Sequence, residues 1–196
     1  MSHQRKSLLT PEEYLAIERR AEAKSEYFAG EVFAMVGASK RHNLIAANII
    51  RALGNQLVDR PCNVYPSDMR VKVSATGKYT YPDVVVACEE ELFDDEEKDT
   101  LLNPVVILEI LSASTEAYDR GKKFEQYQYV ESLTEYLLIT QDPYRVERYV
   151  RQSEREWRYS EYHSADDVVH LSAIGCQLAL RDVYAKVAPP PSPRTA

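Results

Sequence analysis

The sequence predicts an α/β (α+β) domain, a mixed central sheet flanked by helices with a helix and a hairpin at its N-terminal end. Three observations predict it. Residues 82–88 and 104–111 are nearly unbroken β-branched runs, the pattern of central strands covered on both faces. Helical periodicity appears at about residues 11–21, 40–58 and 116–129. The strand-like segments between and after these helices come in groups, unlike the regular alternation of a TIM barrel or a Rossmann fold. There is no internal repeat, P-loop or GxGxxG.

Each element has a local cause. Thr10 caps the first helix, Pro11 suits its first position and Glu13 completes a capping box. Tyr14, Leu15, Ile17 and Ala21 follow at helical spacing. Near Ser25 the period changes, and residues 26–36 read as two short strands joined at Ala29-Gly30. Ser39 caps the second helix, Leu44, Ile45, Ile49, Ala52, Leu53 and Leu57 form its apolar stripe, and Pro61 enforces its stop. Residues 63–73 form one strand candidate, followed by the runs at 82–88 and 104–111. Beyond the third helix, residues 135–140, 146–151 and 157–162 are strand-like, with Thr140-Gln141-Asp142-Pro143 as a turn. Residues 1–187 read as one domain, and the Pro-rich stretch 188–196 reads as a tail.

Bulk properties exclude some functions. A net charge of −7 argues against a strong general nucleic-acid binder, because phosphate attraction needs basic surface. Much of that charge lies in residues 89–99, read as a solvated loop between strands, while Arg120, Lys122 and Lys123 leave room for a local basic face. No apolar run is long enough for a membrane helix, and no signal peptide is expected after Arg5 and Lys6. Cys62, Cys88 and Cys176 are odd in number and far apart, so neither a disulfide framework nor a zinc knuckle is expected, and a reducing cytoplasm fits.

Two carboxylates stand out. Alternation puts Glu109 on one strand face with Val105, Ile107 and Leu111. An ionised carboxylate there needs a metal, a basic partner or a raised pKa, and a buried salt bridge is as consistent with the pattern as a metal. Asp83 follows Pro82 at a strand entry and shares a face with Val85 and Ala87; alone, it is equally a turn-favouring residue. Converging acids on neighbouring strands suit a hard cation such as Mg²⁺ or Mn²⁺. Asp119, Lys123 and Tyr127 lie on one helix face, either as an i,i+4 ion pair or with Lys123 leaning toward the two acids. Glu26, Glu31 and His42 are secondary candidates: Glu31 to add a carboxylate, His42 to orient a water or phosphate or merely to hydrogen-bond locally. Asp68 reads as a strand-ending residue. The aromatics Tyr144, Tyr149, Trp157, Tyr159 and Tyr162 read as packing residues.

The ordered series Glu26-Tyr27-Phe28-Ala29-Gly30-Glu31, Arg41-His42-Asn43, Tyr81-Pro82-Asp83-Val84-Val85, Glu109-Ile110-Leu111-Ser112-Ala113-Ser114-Thr115, Asp119-Arg120-Gly121-Lys122-Lys123-Phe124 and Glu135-Tyr136-Leu137-Leu138 resembles the PD-(D/E)xK superfamily of restriction-endonuclease-like nucleases. It is most similar to one bacterial branch, classed as restriction endonucleases of unassigned biological role. The resemblance implies a restriction-endonuclease-like mixed sheet, Mg²⁺-dependent cleavage of DNA and a homodimer. It also implies that Asp83, Glu109 and the main-chain carbonyl of Ile110 hold the metal. One departure stands out: Leu111 occupies the place of the superfamily's lysine. In this branch a lysine from the following helix takes that role, and Lys123, four residues after Asp119, matches it better than Lys122. Two other readings remain: a degenerate nuclease fold that binds nucleic acid or assembles without cutting, motivated by Leu111 and the net charge, and metal-free glycoside hydrolysis by the carboxylate pair.

Overall fold

The capping box starts the chain's first helix, α1 (Pro11–Glu18), as the sequence requires. Thr10 Oγ1 accepts from the Glu13 N–H at 3.2 Å and Glu13 Oε2 accepts from the Thr10 N–H at 2.9 Å. The computed structural model describes residues 8–142 and 144–187. The expected tail at 188–196, and Pro143 of the expected turn, lie outside the described residues. Tyr14 and Leu15 are buried, but Ile17 is exposed and the helix ends before Ala21, so the expected stripe is shorter.

The hairpin of β1 (Ser25–Phe28) and β2 (Glu31–Ala34) turns at Ala29 and Gly30, whose φ values are 51° and 86°. Two left-handed residues give the twist that a two-residue hairpin needs. A Cβ on Gly30 would also stand 2.7 Å from Leu8 Cβ. α2 (Lys40–Leu57) starts at Ser39, whose hydroxyl accepts from the His42 N–H at 3.1 Å. It buries Ile45, Ile49, Leu53 and Leu57, each contributing about 1.5–3 kcal/mol of transfer free energy.

The single strand expected over residues 63–73 is two. β3 (Cys62–Pro66) and β4 (Arg70–Val73) lie in different sheets, separated by a turn at residues 67–69. Asp68 sits in that turn and pairs with Lys24 at 3.0 Å. Next come β5 (Lys78–Thr80), which the sequence reading missed, then β6 (Val84–Cys88), β7 (Thr100–Leu101) and β8 (Val106–Ile110). The third helix is not continuous. It runs as α3 (Glu116–Tyr118), a π-helical turn over Asp119–Lys123, and α4 (Phe124–Tyr127). β9 (Glu135–Ile139), β10 (Val146–Arg151) and β11 (Trp157–Tyr162) match expectation closely. β12 (Val168–Leu171), β13 (Cys176–Ala179) and α5 (Leu180–Val183) follow.

The result is a mixed α+β architecture. The main sheet has the order β11-β10-β9-β8-β6-β3. Its β8–β9 pair is parallel, joined by the broken third helix, and the others are antiparallel. A second sheet has the order β2-β1-β5-β4-β7. Strand parity sorts the core. Val84, Val86, Val106, Leu108 and Ile110 face α2, α5 and the β12–β13 ribbon. Val85, Ala87, Ile107 and Leu111 face the other way, toward Val71, Val73 and Leu101 of the second sheet and toward Tyr127. Tyr149 and Trp157 pack onto that second core, as expected of packing residues, while Tyr159 is exposed.

One expectation, about cysteine, is overturned. Cys62 and Cys88 face each other in register on β3 and β6 and form a disulfide. Pairing follows strand register rather than sequence spacing, so the cysteine-based argument for a reducing compartment falls. Residues 89–99 form a largely exposed loop between β6 and β7, as expected, and ion pairs tie it down: Arg19 binds Asp95 (2.6 Å) and Asp99 (2.8 Å), Arg70 binds Asp99 (2.8 Å) and Lys72 binds Asp94 (2.6 Å). Nor is there a basic face around Arg120, which pairs with Glu116 and Glu147, while Lys123 is buried. No helix among the described residues is long and apolar enough to cross a membrane.

Candidate active site

The site forms where the inner face of the main sheet meets the second sheet and the π-helical turn. Asp83 precedes β6 and Glu109 lies in β8. These strands are antiparallel neighbours with Val84 opposite Leu108, and both acids have the parity of the inner face.

Glu109 is 3% exposed. Its Oε1 takes the Lys123 ammonium at 2.8 Å and the Tyr127 hydroxyl at 2.9 Å. Burial pushes its carboxyl up to about 8 against the pull of Lys123, helped by the nearby charges of Asp119 and Asp83. Lys123 remains charged: burial opposes this, but Glu109, Glu26 and Asp119 hold its pKa well above the usual lysine value. Burial likewise raises Asp119, whose Oδ1 is 3.7 Å from Lys123 Nζ. The π-helical turn, a rare form that is common at functional sites, brings both Asp119 and Lys123 inward while Lys122 faces solvent. The Tyr136 hydroxyl donates to the Asp119 carbonyl at 3.0 Å and anchors the turn to β9.

Asp83 makes two contacts through Oδ2: the Ile110 N–H at 2.7 Å and His42 Nε2 at 3.0 Å. The carboxylates of Asp83 and Glu109 are hard oxygen ligands, and Mg²⁺ commonly takes only one or two carboxylates and keeps waters on its other positions. Among the described residues no group of three or more His, Cys, Asp or Glu side chains is spaced to hold a metal. A cation at this face would need main-chain oxygen or water to complete its shell.

The secondary candidates separate. His42, one turn into α2, reaches Asp83, and its Nδ1 is buried without a partner among the described residues. Glu31 lies exposed beside the hairpin turn, opposite Phe28, and makes none of the contacts of this cluster. Glu26 is the carboxylate of the hairpin that enters: it is buried, and its Oε1 lies 3.5 Å from Lys123 Nζ. Thr80 and Tyr118 donate to it and Lys78 pairs with it at 3.5 Å. Burial would raise its carboxyl, but Lys123 and Lys78 bring it down to about 2. Sequence reading missed Lys78, Thr80 and Tyr118. The three-residue β5 has too short a pattern to register, although Glu26 and Thr80 are cross-strand partners once Tyr27↔Tyr79 is known.

Comparison with known proteins bears on the fold and the family. A crystal structure of a "putative nuclease belonging to DUF820" from Anabaena variabilis superposes with a TM-score of 0.75, covering 92% of this chain and 99% of that one at 19% identity, which establishes the fold. Two proteins of Synechocystis sp., both described as uncharacterized, are 40% identical over 84% of this chain and 93% of their own, and 36% identical over 90% and 91%. The Uma2 model, described as "Putative restriction endonuclease", matches residues 11–181, and the chain belongs to that restriction-endonuclease-like family.

Proposed function

We propose that this protein is a metal-dependent endonuclease that hydrolyses phosphodiester bonds in DNA, with Mg²⁺ or Mn²⁺ as its cofactor. The observation that carries the proposal is the convergence on one face of adjacent strands: Asp83 bound to the Ile110 N–H and Glu109 bound to Lys123.

In this reading Asp83, Glu109 and the Ile110 carbonyl would hold the cation, which would supply polarisation of a phosphoryl oxygen and a lowered pKa for bound water. Lys123 supplies the positive charge that the superfamily takes from the position of Leu111. Its ammonium, 2.8 Å from Glu109, is in reach of a water or phosphate oxygen at the same site, where it orients the nucleophile and stabilises charge on the phosphate. Tyr127 fixes the Glu109 carboxylate. His42 fixes that of Asp83. Glu31 is exposed on the hairpin, away from these contacts. A homodimer would fit a two-strand cut.

The test is cleavage of supercoiled plasmid in Mg²⁺ and in Mn²⁺ by the native protein and by Asp83→Ala. Metal-dependent nicking that vanishes in the variant supports the assignment; undiminished cleavage by the variant refutes it. A second reading, nucleic-acid binding without cleavage, is favoured by Leu111, which is buried in the core and carries no charge to the site. Binding of DNA with no cleavage in either metal would put it first.

A further inference from the structure

Lys123 is shared. Glu109 holds it at 2.8 Å and Glu26 at 3.5 Å, and the two carboxylates come from different sheets. The way Glu26 reaches it is built into strand alternation. On β1 and β5, Tyr27 and Tyr79 pair and turn to one side, where they pack with Tyr14. Glu26, Lys78 and Thr80 turn to the other, toward the π-helical turn. There Glu26 collects four donors: the Thr80 hydroxyl, the Tyr118 hydroxyl at 2.8 Å, Lys78 and Lys123. Lys78 also donates to the Tyr118 hydroxyl, and its ammonium lies 4.7 Å from the centre of the Tyr118 ring.

A buried carboxylate with one cation would be satisfied and inert. This one has two, and only Lys123 also touches Glu109. If Glu109 turns an oxygen toward a cation, Lys123 loses its closest partner at the moment its position matters. Asp119, at 3.7 Å, is a more distant remaining hold. We infer that Glu26 is a positioning residue: braced by Lys78, Tyr118 and Thr80, it retains the Lys123 ammonium when Glu109 is drawn to the metal. The inference rests on the nuclease reading for its purpose, but the geometry it concerns exists without it.

The experiment reads Lys123 directly. Native protein, Glu26→Gln, Glu26→Asp and Tyr118→Phe are exposed to reductive methylation with and without saturating Mn²⁺, and labelling at each lysine is followed by peptide mass spectrometry. In native protein Lys123 stays protected with Mn²⁺. In Glu26→Gln its labelling in Mn²⁺ rises about tenfold, with Lys24 and Lys72 unchanged, and Glu26→Asp restores part of the protection. Should Glu26→Gln fail to fold, Tyr118→Phe removes one brace and gives a smaller rise of the same kind. In the plasmid assay Glu26→Gln lowers kcat by about 10²-fold with KM for DNA little changed, as expected for a misplaced rather than a missing group. Equal Lys123 protection in native and Glu26→Gln protein, or a rise at every lysine alike, overturns the inference. Native protein that cuts no DNA sinks the nuclease reading instead, while the labelling still decides whether Glu26 holds Lys123.

Discussion

Glu26 and Glu109 are two buried carboxylates that touch the same ammonium, yet their acidities diverge. Glu26, on the second sheet, has two lysines and two hydroxyl donors and titrates near 2. Glu109, on the main sheet, has one lysine and one hydroxyl, with Asp83 and Asp119 nearby, and is held near 8. Burial raises both; around Glu26 two lysines and two hydroxyl donors outweigh it, and around Glu109 the single lysine does not. A carboxylate compensated twice over is a structural anchor. One that is under-compensated is ready to trade its proton for a cation.

The largest expected effect breaks the site outright. Asp83→Ala removes the carboxylate held by Ile110 and His42, and metal-dependent cleavage should fall by about 10³-fold or more in the plasmid assay. Next, Lys123→Met takes away the shared cation. Glu26 keeps Lys78 while Glu109 keeps nothing positive, so cleavage should drop about 10²-fold, and stability by about 3–5 kcal/mol by urea unfolding, less wherever Glu109 takes up a proton.

The comparison is sharpened by pH. Glu109 has a folded value above its ordinary 4.5, so the folded state binds a proton that the unfolded chain releases. Its contribution to stability is therefore present below about pH 4.5 and declines as pH rises toward about 8. Glu26 has the opposite sign: its contribution is present above about pH 4.5 and is lost as pH falls toward about 2. Urea unfolding of the metal-free protein across this range should show Glu109→Gln flattening the decline on the alkaline side and Glu26→Gln flattening the loss on the acid side. Equal slopes in the two variants would mean that the environments do not differ. The smallest effect is Tyr127→Phe, which deletes one hydrogen bond to Glu109 and should cost about 1 kcal/mol in the same assay.

How legible this was in the sequence depends on the range of the interaction. Local signals read well: the Thr10–Glu13 capping box, the Ala29-Gly30 turn, and α2 from Ser39 onward are decided within a few residues of the chain. Parity of the β-branched runs grouped Asp83 with Val85 and Ala87, and Glu109 with Ile107 and Leu111, because strand alternation is rigid; that the two groups share one face depends on the Val84↔Leu108 register. Pairing was hidden. The break at residues 67–69, the Cys62–Cys88 bridge and the choice of Glu26 over Glu31 all depend on which strand lies beside which. The π-helical turn was equally invisible, since Glu116 to Tyr129 carries an ordinary helical pattern.

The central claim is that the oxygens of Asp83, Glu109 and Ile110 hold a divalent cation. Calorimetric titration of Mn²⁺ into the metal-free protein, beside Glu109→Gln, tests it most directly. The account predicts one binding event in the native protein, weakening as pH falls below about 8 because the cation must displace the Glu109 proton, and none in the variant. Equal binding by both proteins, or none by either, would contradict it.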